Sequence, residues 1–363
     1  MKFTVNREKL LKGLQKVSSI IGSRSMLPIL GNVLVNAEDG KLSLTSTDLE
    51  IRISAEIECA VLEAGATTMP AKKLLALVSR FIAEEVEFSV DENNHIKLDC
   101  GTGHFTLLGL AAEDFPEASD FKVVKTIKIA ESEFKSMLSS ISYAVSQDDS
   151  RKVLTGILMS TAKNMLTLVA TDGKRLALQE KMIEDIAGND GECVVPLKAA
   201  NEIKRVIDSS EIMEILIGDN YCCFKGANFV LTTKLIDGKY PNFRQVIPAS
   251  AKHTVEVSAA TLLSKIEIVS QILSDTSSFV VLNFDNNELV IKGSSSEVGE
   301  GADSMEVEYT DEALTVSFNP AFLADPLKVI GAESVQFKMN DPFNPVTIEG
   351  KEGFLCVIMP VRK

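Results

Sequence analysis

Alternating strand patterns followed by amphipathic helical stretches recur three times along the chain, roughly 125 residues apart. The copies are Phe3-Thr4-Val5 with Leu10, Leu14 and Val17; Ile127-Lys128-Ile129 with Phe134, Leu138 and Ile141; and Val255-Glu256-Val257 with Leu262, Ile266 and Val269. Alternation of period two predicts a strand, and apolar residues three or four apart predict a helix. Because self-similarity at a fixed period indicates a repeat architecture, three related domains in an arc or a ring are expected.

A second landmark has the same spacing. Pro70, Pro196 and Pro320 each stand between a strand pattern and a helical pattern. Proline suits the first helical position, where its missing N–H would have no partner, so each proline is predicted to open a second helix there. Strand pairs around polar turns predict hairpins, at Glu38-Asp39-Gly40, Lys163-Asn164 and Asp285-Asn286-Asn287. Helices follow only particular strands, which favours an α+β fold with antiparallel sheets and two helices per domain over a doubly wound parallel fold.

Proline turns and polar stretches set the expected domain limits. With Phe115-Pro116 and Tyr240-Pro241 ending the first two copies, the predicted domains are 1–122 (N-terminal), 126–248 (central) and 252–363 (C-terminal). The polar stretch 293–301 fits either a mobile loop or a strand pair with an acidic turn.

Composition indicates an ordinary globular protein of 363 residues, with 45% hydrophobic and 24% charged residues. No apolar run approaches the length of a membrane span, and the first six residues lack the apolar region of a signal peptide, so a cytoplasmic protein is expected. Six cysteines without regular spacing predict buried free thiols: Cys59, Cys100, Cys193, Cys222, Cys223 and Cys356. None of the three histidines belongs to a cysteine motif, so no metal site is predicted.

Charge is sorted by element type. The chain carries −14, yet the six predicted helical segments together carry +7, which leaves −21 elsewhere. The basic helix residues are Lys9, Lys12 and Lys16, then Lys72, Lys73 and Arg80, then Lys198, Lys204 and Arg205. On one helix such a stripe is typical of a solvated face. Repeated on several helices, it predicts sequence-independent attraction to a duplex backbone. Without tryptophan and with four tyrosines, no stacking platform for single strands is expected.

Motifs that would indicate catalysis are nearly absent from the sequence. There is no Walker loop and no nucleophile elbow, and Gly101-Thr102-Gly103-His104 lacks the third glycine of a dinucleotide loop. Asp48 and Asp172 are repeat-equivalent carboxylates, but they belong to separate domains and are interpreted as turn residues at strand ends. Neither an enzyme nor a cofactor is expected.

Several stretches resemble the bacterial DNA polymerase III β subunits, the sliding clamps, over essentially the whole chain. They are Leu27-Pro28-Ile29-Leu30-Gly31-Asn32, Leu44-Thr45-Ser46-Thr47-Asp48-Leu49-Glu50, Ala170-Thr171-Asp172-Gly173-Lys174-Arg175-Leu176-Ala177 and Asp237-Gly238-Lys239-Tyr240-Pro241. The resemblance implies a head-to-tail homodimer whose helices line a hole around duplex DNA, with the sheets outside. It adds Arg24 and Lys152 to the expected DNA-binding residues.

The resemblance also implies a pocket for client proteins between the second and third domains. Carried over by position, its walls are Leu154, Thr171, Gly173, Lys174, Arg175, Leu176, Pro241, Val246, Phe322, Phe343, Val357, Met359, Pro360 and Arg362. The polymerase, the clamp loader and repair proteins would insert short peptides with hydrophobic anchors there. Lys174 replaces a frequent histidine, Gln245 a common arginine, and Lys152-Val153 aromatic residues.

By the same resemblance, the dimer seam joins Phe105 and Leu107 of the first domain to Ile272 and Leu273 of the third, with Glu297 and Glu300 at its rim. A head-to-tail interface closes only if the subunit rotation completes a ring.

The leading hypothesis from the sequence is a non-catalytic processivity clamp without a membrane partner. The alternatives are an enzyme acting on a nucleotide or acidic substrate around Asp172 and Arg175, and a β-rich scaffold that binds no nucleic acid.

Overall fold

The computed structural model describes residues 1–22, 27–274 and 279–362. In these ranges the chain forms six α-helices: α1 (Arg7–Ser18), α2 (Ala71–Val78), α3 (Glu131–Ile141), α4 (Leu197–Val206), α5 (Ala259–Ser270) and α6 (Pro320–Ile330).

The strands follow the three sequence repeats. The first repeat has β1 (Lys2–Asn6), β2 (Asn32–Glu38), β3 (Lys41–Thr47), β4 (Ile51–Glu58), β5 (Ala60–Glu63), β6 (Gly65–Pro70), β7 (Glu85–Val90), β8 (His95–Cys100) and β9 (Gly103–Leu108). The second has β10 (Lys125–Ala130), β11 (Gly156–Ala162), β12 (Met165–Thr171), β13 (Arg175–Met182), β14 (Ile186–Gly188), β15 (Gly191–Pro196), β16 (Ile212–Ile217), β17 (Tyr221–Lys225) and β18 (Phe229–Lys234). The third has β19 (His253–Ser258), β20 (Val280–Asp285), β21 (Glu288–Ser295), β22 (Gly299–Glu306), β23 (Leu314–Phe318), β24 (Ser334–Met339), β25 (Val346–Glu349) and β26 (Phe354–Ile358).

The first helix of each repeat forms where the pattern predicted it. The apolar stripes of α1, α3 and α5 are all buried: Leu10, Leu14, Val17, Phe134, Leu138, Ile141, Leu262, Ile266 and Val269. Asn6 caps α1, since its side chain accepts from the N–H groups of Glu8 and Lys9, and Ser258 caps α5 in the same way. These caps satisfy N–H groups that have no partner within the helix.

The predicted position of the three prolines is wrong in two copies. Only Pro320 is the first residue of its helix. Pro70 and Pro196 are the last residues of β6 and β15, where they pair with Asn32 and Gly156. Since proline has no N–H, it closes the strand at its end and leaves the helix to begin one residue later.

The predicted hairpin turns are confirmed, and they share one backbone conformation. Two consecutive residues have positive φ in each copy: Asp39 and Gly40, Lys163 and Asn164, and Asn286 and Asn287. Such pairs form the two-residue turn whose twist matches that of the flanking strands, and asparagine, aspartate and glycine tolerate it best. The polar stretch 293–301 is a strand pair, β21 and β22, and not a loop.

The described chain divides into two compact units. Unit 1 comprises residues 1–135, 185–189 and 198–235, and unit 2 comprises 136–184, 190–197 and 236–363. Unit 1 holds a five-stranded sheet, β5-β1-β7-β8-β9, and a nine-stranded sheet, β14-β10-β16-β17-β18-β4-β3-β2-β6. Its core includes the stacked rings of Phe3 and Phe88, whose centroids are 4.7 Å apart.

Unit 2 holds an eight-stranded sheet, β15-β11-β12-β13-β26-β25-β24-β19, and a four-stranded sheet, β22-β21-β20-β23. Phe284 and Tyr309 contact each other in its core at 5.7 Å between centroids. All strand pairs of the described residues are antiparallel, as predicted.

The two largest sheets each run across a repeat boundary. In unit 1, β18 of the second repeat pairs with β4 of the first, from Phe229 opposite Ala55 to Thr233 opposite Ile51. In unit 2, β13 of the second repeat pairs with β26 of the third, with Arg175 opposite Ile358. The compact units therefore do not coincide with the sequence repeats, and the limits at 122, 126, 248 and 252 remain a prediction from the repeat pattern.

All six cysteines are free thiols, and four of them are buried. Burial raises the pKa of the Cys356 thiol to about 12, so this group is protonated at neutral pH. Only Cys59 and Cys193 are partly exposed.

We expect at most two thiols of the native protein to react readily with Ellman's reagent, because the thiolate is the reactive form and the other four are shielded. In denaturant all six should react. The double variant Cys59→Ser, Cys193→Ser is the control, and it should show no fast phase. Fast reaction of the buried four in the native protein would contradict the burial described here.

Candidate functional sites

One turn geometry occurs twice, at Thr47-Asp48 and at Thr171-Asp172. In unit 2 the Thr171 hydroxyl donates to the carbonyl of Arg175 at 2.6 Å, and one oxygen of Asp172 accepts from the N–H groups of Lys174 and Arg175. In unit 1 the same bonds join Thr47 and Asp48 to the segment 49–51. Both aspartates are thus turn residues, as the sequence indicated, and the second oxygen of each binds a cation.

In unit 2 the cation is Arg175, whose side chain is only 11% exposed. Its Nε lies 3.1 Å from Asp172, one terminal nitrogen lies 2.6 Å from Asp325, and the other donates to the carbonyl of Tyr143 at 2.8 Å. The guanidinium also lies over the rings of Tyr143 and Phe322, at 5.3 and 4.5 Å from their centroids. With these partners, Arg175 fixes β13 to α6 and to the segment after α3.

An apolar cluster of unit 2 lies next to this turn. It consists of Leu154, Leu158, Val169, Leu176, Leu178, Val194, Tyr240, Phe243 and Val357, with Val153, Ile236, Ile247 and Leu355 packed against it. Segment 236–247 therefore lies against side chains of the neighbouring strands β11, β12, β13, β15 and β26. Three expected pocket residues, Leu154, Leu176 and Val357, belong to this cluster.

The remaining expected pocket residues are placed as follows. Thr171, Gly173, Lys174 and Arg175 form the adjoining turn, and the N–H of Met359 donates to the carbonyl of Lys174 at 3.0 Å. Pro241 and Val246 lie in the segment that packs on the cluster, with Val246 45% exposed. Phe322 covers Arg175, and Pro360 is buried. Phe343 and Arg362 are exposed and lie outside the cluster.

Sequence reasoning missed Tyr143 and Asp325, which hold Arg175, and Tyr240 and Phe243, which occupy the cluster. Tyr240 belongs to the stretch 237–241 that resembles the sliding clamps, but nothing in its spacing showed which surface it would cover. Tyr143 and Asp325 are 32 and 150 residues from Arg175, so only the tertiary structure brings them together.

A groove of about 710 Å³ borders the cluster at Leu178, Ile247 and Leu355. Its rim carries Glu180 and Arg244, whose charged atoms are 3.5 Å apart. None of the fourteen expected pocket residues lines this groove, so it is a separate feature of unit 2.

The basic helix residues of unit 1 divide into paired and unpaired groups. Lys9 lies 2.6 Å from Glu58, Lys16 lies 2.9 Å from Asp208, and Lys198 is paired with Asp48. Lys72 donates to the carbonyl of Gly22. In the described part of the chain, Lys12, Lys73 and Arg80 are exposed and have no described side-chain partner.

Arg205 has a structural role in unit 1. Its guanidinium donates to the carbonyls of Gln15 and Lys16 and to the hydroxyl of Ser19, and its Nε lies 2.9 Å from Glu202. Since the last carbonyls of a helix lack partners within it, Arg205 caps the C-terminus of α1 from α4. Burial lowers the pKa of Lys204, which is half-buried. Lys152, in unit 2, is exposed, and Arg24 lies outside the described residues.

Two of the expected seam residues lie on an edge strand, and the other two follow a helix. In unit 1, Phe105 is on the edge strand β9, and its ring contacts that of Phe81 at 5.3 Å between centroids; Leu107 follows on the same strand. In unit 2, Ile272 and Leu273 follow α5 and pack on the paired glycines Gly301 and Gly293 of β22 and β21. A Cβ on Gly301 would stand 2.4 Å from the Cδ1 of Ile272, so a larger residue there would force the Ile272 side chain to move.

The described ranges contain no candidate metal cluster and no candidate membrane-spanning helix. No group of three or more histidine, cysteine or acidic residues there could hold a metal ion. No helix in those ranges has the length and apolarity needed to cross a bilayer.

Comparison with known proteins identifies the family. Domain models of the DNA polymerase III beta subunit match three times: the N-terminal domain over residues 1–119, the central domain over 128–242 and the C-terminal domain over 244–362. The chain is 31% identical over 362 residues to the beta sliding clamp of Chlamydia muridarum, covering 100% of this chain and 99% of that protein. It is 32% identical over 367 residues to the beta sliding clamp of Escherichia coli K12, with complete coverage of both.

A solved sliding clamp, DNA polymerase III subunit beta from Pseudomonas aeruginosa, superposes with a TM-score of 0.96 at 30% identity, covering 100% of both chains. The chain belongs to the family of DNA polymerase III beta subunits, the beta sliding clamps. This membership confirms the predicted three-domain clamp fold and the prediction of a processivity clamp without catalytic activity. An enzyme site around Asp172 and Arg175 is not favoured.

We expect Arg175→Ala to lower the free energy of unfolding by about 2–4 kcal/mol, because it leaves Asp172 and Asp325 without their shared cation. Lys174→Ala, an exposed neighbour, should change it by less than about 0.5 kcal/mol. Urea denaturation followed by circular dichroism measures both. Equal effects of the two substitutions would show that the Arg175 contacts do not stabilise the fold.

Proposed function

We propose that this clamp encircles duplex DNA as a head-to-tail homodimer and tethers the replicative polymerase. The distribution of charge is the main support: in a chain of net charge −14, basic residues concentrate on α1, α2 and α4. Lys12 and Lys73 of these helices, and Arg80 just beyond the end of α2, are exposed without a described partner and are available to phosphates. Lys152 and Arg24 complete the proposed contacts.

A few separated cations suit a protein that must slide. Phosphate contacts give affinity without sequence information, so every position along the duplex is equivalent. The ring itself prevents loss from the DNA, while a bound polymerase stays at high local concentration near the primer end. Processivity therefore comes from topology and tethering and requires no strong contact with DNA.

The proposed dimer joins two sheet edges. Strand β9 leaves one edge open and carries Phe105 and Leu107, and strand β22 leaves another, beside Ile272 and Leu273. Unpaired edge strands with apolar neighbours are suited to pairing with another chain. Glu297 and Glu300 would lie at the rim of the seam. Repetition of this contact by a second copy closes a ring of two subunits.

The proposed client site is the apolar cluster with its neighbouring Thr171–Arg175 turn. Exposed Val246 and the adjoining Pro241 offer apolar surface beside buried Leu154, Leu176 and Val357. Short peptides with hydrophobic anchors from the polymerase, the clamp loader and repair proteins would bind here.

Free thiols and a chromosomal DNA partner favour the cytoplasm as the location.

Topological retention of the ring is tested by comparing closed circular duplex DNA with linear duplex DNA. After loading onto closed circular duplex, the protein should remain bound through gel filtration, and linearising the circle should release it, since nothing then blocks the ends. Sedimentation of the free protein at twice the mass of one chain is the control for the dimer. Retention on linear DNA with open ends would contradict the ring.

The client site is tested by Val246→Glu. We expect the affinity for a fluorescent peptide from the clamp-binding segment of a bacterial DNA polymerase III to fall about tenfold or more, which corresponds to about 1.4 kcal/mol. A carboxylate at position 246 would lose its hydration when the peptide binds, and this desolvation costs free energy.

The matched control is Val230→Glu, an exposed valine of β18 that lies outside the cluster. This variant should bind the peptide with unchanged affinity, measured by fluorescence anisotropy. If both variants lose binding equally, the client site lies elsewhere.

A further inference from the structure

Two carboxylates of unit 1 are paired with basic residues, Lys9 and Lys198, that the sequence pattern predicts to bind DNA. Asp48 uses one oxygen for the N–H groups of Glu50 and Ile51 and presents the other to Lys198, at the start of α4. Glu58, at the end of β4, lies 2.6 Å from Lys9 of α1. Hydrogen bonding and the charge of Lys9 lower the pKa of Glu58, so this carboxylate is ionised at neutral pH.

The lysines of these two pairs are exposed, unlike Arg175, whereas the Asp48 side chain is 20% exposed and that of Glu58 is 84% exposed. The side chain of Lys198 is 58% exposed and that of Lys9 is 53% exposed. Exposed ion pairs are weak, because water and salt screen both charges. A phosphate can therefore replace the carboxylate, but the gain is smaller than for a free cation, and the net release of ions is smaller because the displaced carboxylate attracts a cation from solution.

We propose that Asp48 and Glu58 are internal competitors of DNA phosphate, which reduce the charge that α1 and α4 offer to the duplex and keep the hold on DNA loose. This inference rests on the proposed DNA contact. It divides the basic residues into a free set, Lys12, Lys73 and Arg80, and a masked set, Lys9 and Lys198. The masked set becomes available only when its carboxylate is displaced.

The comparison of the two repeat-equivalent turns supports this division. Asp172 binds Arg175 within its own turn, where Asp325 and two rings enclose the guanidinium. Asp48 instead reaches Lys198, 150 residues away, on a helix surface open to solvent. The same turn thus carries a structural ion pair in unit 2 and an exchangeable one in unit 1.

The decisive variant is Asp48→Asn, which keeps an oxygen for the turn N–H groups and removes the charge that faces Lys198. Binding to a fluorescein-labelled linear duplex is measured by anisotropy between about 50 and 200 mM salt. We expect tighter binding at low salt and a slope of log Kobs against log salt steeper by about 0.9, the contribution of one additional phosphate contact.

Two controls separate masking from a general charge effect. Glu50→Gln removes a neighbouring exposed carboxylate that has no described side-chain partner, so it should leave the slope unchanged. In a Lys198→Ala background, Asp48→Asn should also leave the slope unchanged, because no cation remains to be freed. Thermal unfolding of each variant verifies that the turn is intact.

The outcomes are distinguishable. If Asp48→Asn behaves as Glu50→Gln does, or steepens the slope without Lys198, the masking inference is overturned. If Lys12→Ala, Lys73→Ala and Arg80→Ala leave duplex binding of the full protein unchanged, the proposed DNA contact itself is wrong, whatever the Asp48 result. A steeper slope that requires Lys198 supports both.

Discussion

Backbone pairing between strands of different repeats is the interaction on which the described architecture depends. The pair β18–β4 makes one nine-stranded sheet in unit 1, and β13–β26 makes one eight-stranded sheet in unit 2. Each pairing satisfies N–H and C=O groups that would otherwise remain open at a sheet edge. Because the central repeat supplies β18 to one sheet and β13 to the other, its strands are divided between the two units. The edge strands β9 and β22 are those at which we propose that a second chain continues the same pairing.

A threonine–aspartate turn lies next to each of these strand pairings, and its aspartate binds a different cation in the two units. The turn itself is local, since its hydrogen bonds span four residues or fewer. The cation that the aspartate binds is set by packing. Around Arg175 the aromatic rings and Asp325 exclude water, which makes that pair stabilising only while it is complete. The Lys198 side chain is 58% exposed, and we propose that its pair with Asp48 is open to exchange.

The lysine and arginine residues of the helices likewise have more than one role. The sequence shows where lysine and arginine occur but not what lies opposite them. Arg205 caps α1, and Lys16 pairs with Asp208, so these residues join α1 to α4 and its following segment within unit 1. Lys12, Lys73 and Arg80 are free of such contacts in the described structure. For a clamp, a small number of free cations is consistent with movement along DNA, since sequence-independent phosphate contacts allow a protein to slide.

The sequence by itself determined the repeat, the helix stripes of α1, α3 and α5, and the hairpin turns with positive φ, because these depend on residues close together in the chain. It misplaced Pro70 and Pro196 by one residue, since a strand end and a helix start compete for the same position. The tertiary structure alone decided that Tyr143 and Asp325 hold Arg175, that Tyr240 and Phe243 occupy the apolar cluster, and that Leu273 packs on Gly293 and Ile272 on Gly301. Contacts between distant residues depend on packing, which local pattern does not encode.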